Sequence, residues 1–461
     1  HAQLMTSLAR TGGVLESIKD VIDKDSGKTF KSFMAQIHAK GYTPESIEGS
    51  LKHFYDVDPE KAKTIAKCGG KLQGKTKACL HMDMRVCQIG WARNAQFQIG
   101  VAYQKLSGGD IGVLPKMSEA FAINGHEVYL IIPINNKNID DFYYYYDVEP
   151  IFKILPTLGV KRGWLRHFIH GVASLFKLKN NYDYIITRNI TFAYIGSFFL
   201  KNIIIDIHHP PVNFISKLAY KRFEKSANIK RISFNSEGTY EETRKILKKL
   251  DKYIICHNGV DIKSFKVDYD VDLIKKDLNI DTDKKIITYV GNIYKGRGID
   301  KIIKLSQEMK DVFFLIVGGD DHEVMKYKAD ISNKNILFMG HILHKFIPKI
   351  YFISDIMIIP YDDDFTIKGD IDASKFSSPI KIFEHLASGK PIVASNLTSI
   401  NRILTNEIDS ILVDPNSISS YKNAILKLLN NGNLYKSISS NAINKANTQS
   451  WQIRAKKIIN K

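Results

Sequence analysis

The chain has 461 residues, 44% of them hydrophobic and 25% charged, and carries a formal net charge of +18. Those proportions exclude a disordered chain, because enough apolar side chain is available to offset chain entropy, and they fit roughly two to four domains. The surplus of cations favours an anionic partner, a phosphorylated substrate or a lipid headgroup, and equally serves solubility; without zinc-finger spacing or a sustained basic tail, nucleic acid is set aside.

Residues 1–93 read as a small, mostly helical domain. Thr43 is a sound N-cap for a helix opening at Pro44, and Asp58-Pro59 repeats the device. Phe30, Phe33, Met34 and Ile37 fall at helical spacing. Nothing in the segment assigns it a role. Three of the four cysteines, Cys68, Cys79 and Cys87, lie in it, and the fourth is Cys256. No C-x2-C pair is present, so zinc is not expected. The scarcity of cysteine elsewhere suits a reducing compartment, and with no secretory signal a cytoplasmic location is expected. No run reaches the ~18 apolar residues of a membrane span.

From residue 97 the pattern becomes strand, loop, helix, repeated. Strands are predicted at 97–102, 127–132, 184–187, 203–207 and 231–234. A second series is predicted at 286–290, 313–317, 336–339, 356–359, 391–394 and 410–413. The runs are short, β-branched and apolar on both faces, as buried parallel strands are. Two such series predict an α/β architecture of two doubly wound, Rossmann-like domains, with ligands at the carboxyl ends of the strands.

Four segments carry candidate chemistry. Ser107-Gly108-Gly109-Asp110 follows the first strand and precedes a helix at 113–122. Its glycines let backbone N–H groups approach an anion, as an ordinary tight turn also does. Apart from these four, between residues 161 and 180, Trp164, Leu165, Phe168, Ile169, Val172, Leu175 and Phe176 share a helical face, with Lys161, Arg162, Arg166 and Lys177 around it. Such a helix either lies on an anionic membrane surface or packs on the core. His257-Asn258-Gly259-Val260-Asp261 marks a turn between the two series.

The third segment runs Tyr289-Val290-Gly291-Asn292-Ile293-Tyr294-Lys295-Gly296-Arg297-Gly298. This is a strand, a glycine-rich loop with two cations, then a helix. Gly291 permits close approach, and Lys295 and Arg297 can neutralise a diphosphate or sit solvated. The fourth, Ser377-Ser378-Pro379-Ile380-Lys381-Ile382-Phe383-Glu384, opens a helix capped by Ser378 with Pro379 at its first position. Its free N–H groups suit a phosphate. Glu384, three residues after Lys381, is placed to accept hydrogen bonds from ribose hydroxyls or to pair with the lysine.

In this order and spacing, the motifs resemble glycosyltransferase family 4, of GT-B architecture, from about residue 95 to the end. The resemblance implies a first domain at 94–264, joined by a returning helix at 449–461, that takes the acceptor. It implies a second domain at 265–448 that takes the nucleotide sugar. It further implies a retaining transfer from a UDP-sugar or GDP-sugar to a glycan or lipid-linked acceptor, without cofactor or metal. The implied catalytic residues are His208, in Asp206-Ile207-His208-His209-Pro210, with Arg297 and Glu384. Gly109, with Gly108, faces the diphosphate or sugar. Gly291, Asn292, Lys295 and Arg297 surround the diphosphate, Ser378, Pro379 and Ile380 offer backbone contacts, Lys381 assists, and Glu384 binds ribose.

Two positions depart from the family pattern. Phe376 stands where its first glutamate belongs, and Asn292 where an arginine does. They keep open a catalytically silent carbohydrate- or lipid-binding protein beside the transferase, as well as another GT-B enzyme such as a sugar epimerase. Peripheral attachment to the inner face of the cytoplasmic membrane is expected through residues 161–180.

Overall fold

The computed structural model describes residues 113–460, apart from short stretches at 134–138, 158–164, 179–181, 212–213, 248–251, 279, 281, 330, 332, 364–365, 368–370 and 373–379. The helical module at 1–93 with its three cysteines, the strand at 97–102, Gly108, Gly109, Trp164, Phe376, Ser378 and Pro379 lie outside the described residues. The chain divides into two compact units. One includes Lys266–Ile293 and Ser306–Asp355, and the other comprises Ala95–Phe265, Tyr294–Leu305 and Ile356–Lys461.

The second of these begins with strands Tyr129–Ile132 (β1) and Lys153–Pro156 (β2), paired in parallel. Four more follow: Ile185–Thr187 (β3), Ile203–Ile207 (β4), Ile229–Phe234 (β5) and Tyr253–Ile255 (β6), a parallel sheet in that order. All five residues of β4 are buried. Alternation along a strand sends successive side chains to opposite faces. Ile203, Ile205 and Ile207 therefore join a core with Phe192, Tyr220 and Phe223 from helices Ile190–Gly196 and Phe214–Lys225. Ile204 joins a separate core with Val113 and Met117 of helix Val113–Ile123 and Trp451, Ala455 and Ile458 of helix Trp451–Asn460. The C-terminal helix thus completes one face of this sheet.

The first unit holds three parallel strands, Lys285–Val290 (β7), Val312–Val317 (β8) and Ile336–Gly340 (β9). The other contributes Ile356–Ile359 (β10), a two-residue antiparallel pair of Thr366–Ile367 (β11) and Ile371–Asp372 (β12), then Ile392–Ser395 (β13) and Ile411–Val413 (β14). β13 pairs in parallel with both β10 and β14. Every residue of β8, β10 and β13 is buried, as the continuous apolar runs require.

The expected strands within the described residues all form, with ends shifted by a residue or two. The two-residue β11 and β12 are not among the expected strands, and neither are β2 and β6. Both are short; β2 opens on an exposed lysine and closes on proline, and β6 opens on exposed Tyr253, so neither shows a sustained apolar run.

Helix Leu165–Leu175 forms where the apolar face is predicted. It approaches helix Ile190–Gly196 closely at Gly171. His170, Gly171 and Ser174 are buried, and a Cβ on Gly171 would stand 3.0 Å from Asn189 Oδ1 and 3.1 Å from the Phe192 nitrogen. His170 meets the Thr157 hydroxyl through Nδ1 at 2.9 Å. Leu175 packs on the core, while Phe168 is exposed and Phe176 more so. Among the described residues no helix is long and apolar enough to cross a membrane.

Gly259 tests how closely the C-terminal helix is seated. A Cβ there would lie 2.6 Å from the Trp451 nitrogen and 2.7 Å from its Cα. Gly259→Ala should lower stability by ~1–3 kcal/mol, the usual cost of overpacking. Gly432→Ala, where the added Cβ meets nothing within 4 Å, should leave the melting temperature unchanged or raise it. Scanning calorimetry of the pair checks this; equal melting temperatures would contradict the close seating.

Candidate functional site

The face alternation of β4 places Asp206 on the side of Ile204, beneath the C-terminal helix, and puts His208 just past the strand end. A carboxylate within a strand of isoleucines must be paired. The Arg454 guanidinium supplies one partner, Nη2 to Oδ1 at 2.8 Å, and His208 Nε2 meets Oδ2 at 2.9 Å. All three side chains are buried. Burial pushes the Asp206 carboxyl upward, but the Arg454 charge and His208 outweigh it and hold the group well below the usual carboxylate range. Arg454 Nε also donates to the carbonyls of His257, at 3.0 Å, and Cys256, at 3.3 Å. One guanidinium therefore joins the end of β4, the start of the His257–Asp261 segment and the C-terminal helix. His257 in turn meets Glu237 through Nε2 at 3.1 Å.

The loop after β7 is built on glycine. Gly318 has φ +126°, and a Cβ there would stand 1.8 Å from the Gly291 carbonyl oxygen. The Gly291 N–H donates to Val317 O at 2.9 Å, and the Tyr289 hydroxyl donates to Asn292 O at 2.5 Å. The backbone at Gly291 and Asn292 is held from both sides within its own unit, and a Cβ on Gly291 would stand 2.8 Å from the Tyr289 hydroxyl.

In the other unit, the segment Tyr294–Gly298 is fastened to the chain leaving β10. Gly298 has φ +70°, and any side chain there would collide with the Pro360 carbonyl, 1.7 Å from the added Cβ. Asp362 N–H donates to Gly296 O at 3.1 Å, and Lys301 Nζ pairs with Asp362 Oδ1 at 2.6 Å. This frame sets Arg297 between two aromatic rings, its Cζ 5.0 Å from the Tyr294 ring centre and 4.6 Å from that of Tyr361. Arg297 Nη2 donates to the Tyr294 hydroxyl at 3.0 Å. Arg297 is almost fully buried, whereas Lys295 is exposed. The two loop cations are thus unlike: one is fixed and partly desolvated, the other is in solvent.

Helix Ile380–Ser388 begins at the first described residue after the 373–379 stretch. Glu384 is buried and accepts from Lys381 Nζ at 2.6 Å. A carboxylate with an ammonium partner keeps acceptor capacity for hydroxyl donors. His385, beside it, is fully buried; burial pushes its imidazole down to about 3, so it stays neutral through the working range. Gly389, at φ +67°, ends the helix and leads into β13.

The structure thus joins His208 to Asp206 and Arg454, Arg297 to Tyr294 and Tyr361, and Lys381 to Glu384. Asp206, Arg454, Tyr294 and Tyr361 were not among the sequence candidates. The signal for Asp206 was legible, a lone acid inside Ile203-Ile204-Ile205-Asp206-Ile207. Its partner, 248 residues away, was not.

Arg454→Met should destabilise the protein by ~3–5 kcal/mol, because it leaves the Asp206 charge buried without its guanidinium. The depressed folded-state pKa of Asp206 means that its contribution is present above the ordinary carboxylate range near pH ~4 and is lost as pH falls through the folded value. Asp206→Asn should therefore weaken the pH dependence of stability on the acid side. Urea titrations between pH 3 and 7 measure both effects, and an unchanged midpoint in Arg454→Met would contradict the pairing.

Residues 270–445 match the family model for Glycosyl transferases group 1. The chain is 25% identical over 362 residues to an uncharacterized glycosyltransferase of Methanocaldococcus jannaschii, covering 69% of this chain and 85% of the relative. It is 27% identical over 190 residues to the UDP-Gal:alpha-D-GlcNAc-diphosphoundecaprenol alpha-1,3-galactosyltransferase of Escherichia coli, covering 38% of this chain and 45% of that one. In structure it is similar to Anabaena HepE in complex with UDP-glucose, with TM-score 0.59 and 14% identity over 77% of this chain and 96% of that one. The fold is GT-B, two Rossmann-like α/β domains. The chain is similar to glycosyltransferases in sequence and fold, and the similarity to the group 1 family model lies in residues 270–445.

Proposed function

We propose that the chain is a retaining glycosyltransferase that moves a sugar from a UDP-sugar or GDP-sugar to a glycan or lipid-linked acceptor, in the synthesis of a surface polysaccharide or glycoconjugate. The observation that carries this reading is Arg297, a guanidinium held between Tyr294 and Tyr361 on a loop that two positive-φ glycines shape. A fixed cation of this kind stabilises a departing diphosphate without reorganising as charge develops. The solved HepE complex with UDP-glucose supports a uridine donor, and the diphosphoundecaprenol named for the Escherichia coli relative supports a lipid-linked acceptor.

In this reading the bond between the anomeric carbon and the diphosphate oxygen breaks as the acceptor hydroxyl adds to that carbon. The acceptor proton passes to the departing phosphate. Arg297, with Lys295 at the exposed edge of its loop, neutralises the leaving group. Glu384, paired with Lys381, accepts from the ribose hydroxyls, and the backbone at Ser378, Pro379 and Ile380 contacts phosphate or sugar. His208, oriented by Asp206, contacts the donor sugar. Gly108 and Gly109 approach the diphosphate or sugar, and Gly291 and Asn292 serve the diphosphate. The domains assigned on this reading are 94–264 with 449–461 for the acceptor and 265–448 for the nucleotide sugar. The chain works in the cytoplasm, on the inner face of the cytoplasmic membrane, with helix Leu165–Leu175 turned toward the lipid.

The test is a thermal-shift and hydrolysis panel of UDP- and GDP-sugars. One donor class should raise the melting temperature and release sugar slowly. Arg297→Ala should reduce kcat by ~10²–10³-fold, the usual cost of losing a preorganised charge donor. Glu384→Ala should abolish the thermal shift. If no donor shifts a folded protein, the nucleotide assignment is wrong and a silent binding protein replaces it.

A further inference from the structure

A second surface departs from what water alone would select. Helix Phe214–Lys225 buries Ser216, Ala219, Tyr220 and Phe223, one stripe at helical spacing. Its first turns carry three large apolar side chains into solvent: Phe214 is 79% exposed, Ile215 77% and Leu218 50%. Phe198 and Phe199, which follow helix Ile190–Gly196, are also exposed.

The two groups are fastened together. Ser197 O accepts from Arg222 Nη2 at 3.1 Å, Ser226 Oγ at 3.0 Å and Asn228 Nδ2 at 3.0 Å. Arg222 lies over the Phe198 ring, its Cζ 4.3 Å from the centre, and Tyr194 meets that ring edge-on. The exposed phenylalanine turn is thus held by a built set of hydrogen bonds to the last turn of helix Phe214–Lys225 and the chain beyond it.

Cations predominate on this surface. Lys217, Lys221 and Lys225 are exposed on the helix, and Lys201 is exposed just past the phenylalanine pair. Glu224 is the helix's sole carboxylate. Helical spacing puts Phe214, Leu218, Lys221 and Lys225 on the face opposite the buried stripe. Apolar side chains interleaved with lysines fit the headgroup boundary of an anionic bilayer: the hydrocarbon enters the interface and the ammonium groups meet lipid phosphates.

We infer that Phe198–Phe199 and the exposed face of helix Phe214–Lys225 form a membrane-docking surface whose partner is an anionic lipid bilayer. The inference rests on the reading of the chain as acting at a membrane, and it names a surface other than helix Leu165–Leu175. Because β4 ends at Ile207 and the helix begins at Phe214, the surface starts six residues after His208, so docking would bring lipid close to that strand end.

The experiment is co-sedimentation of the whole chain with vesicles of phosphatidylcholine, alone or with 30 mol% (about a third) phosphatidylglycerol. Binding should need the anionic lipid and weaken with salt. The triple variant Phe214→Ser, Ile215→Ser, Leu218→Ser should weaken partition at least about tenfold, as should Lys217→Glu, Lys221→Glu, Lys225→Glu. All six side chains are exposed, so the melting temperature should hold. Wild type that binds, with both variants binding equally well, overturns this surface and leaves the peripheral reading standing. Wild type that ignores anionic vesicles overturns both. A wild-type dimer in sedimentation velocity that the serine variant dissociates, without vesicle binding, makes the surface a contact between copies and overturns the inference. Donor hydrolysis, measured without lipid, reports separately on the transferase reading.

Discussion

The ion pair between Asp206 and Arg454 is the constraint on which the rest of the sheet around β4 depends. A charge inside a strand of isoleucines is tolerated only while its partner is seated, and that partner sits on the last described helix. The same carboxylate faces His208, and the same guanidinium holds the carbonyls at Cys256 and His257. The cost of burying two charges is met by additional hydrogen bonds on each of them. What results is a fixed orientation for a histidine at a strand end, set by tertiary packing and not by local sequence.

The loops that carry the candidate donor residues follow a different rule. Gly318 against Gly291, and Gly298 against Pro360, bring backbone to backbone at distances no side chain would survive. Close approach of this kind makes the loop stiff despite its glycines, since each has a neighbour that leaves it one conformation. Arg297 gains from that stiffness. Its guanidinium is stacked on aromatic rings, a setting that favours arginine over lysine because the planar cation is weakly hydrated. Tyr294 and Tyr361 thus give a physical reason for an arginine at this position.

Much of the fold was legible because buried parallel strands announce themselves as continuous apolar runs. β4, β8, β10 and β13 are of that kind, whereas β2 and β6, short and partly exposed, are not. The helix at 165–175 was legible as a helix but not in its packing. The apolar face leaves lipid and core both open; Leu175 packs on the core, Phe168 and Phe176 are exposed, and the close approach to the neighbouring helix falls at Gly171. At the site, single motifs such as Lys381–Glu384 are local and were readable at i, i+3. The Asp206–Arg454 pair and the Tyr361 ring on Arg297 join residues far apart in sequence, and no periodicity encodes them.

The C-terminal helix has a further consequence for how the chain is made. Asp206 and Arg454 are separated by 248 residues. At about 5–20 residues per second on the ribosome, β4 emerges ~12–50 s before the cation that neutralises it. Throughout that interval the face carrying Ile204 and Ile254 lacks Trp451, Ala455 and Ile458 as cover. The nascent sheet is therefore an incomplete sandwich in which Asp206 lacks its guanidinium partner. Closure of that face therefore waits until Arg454 has emerged.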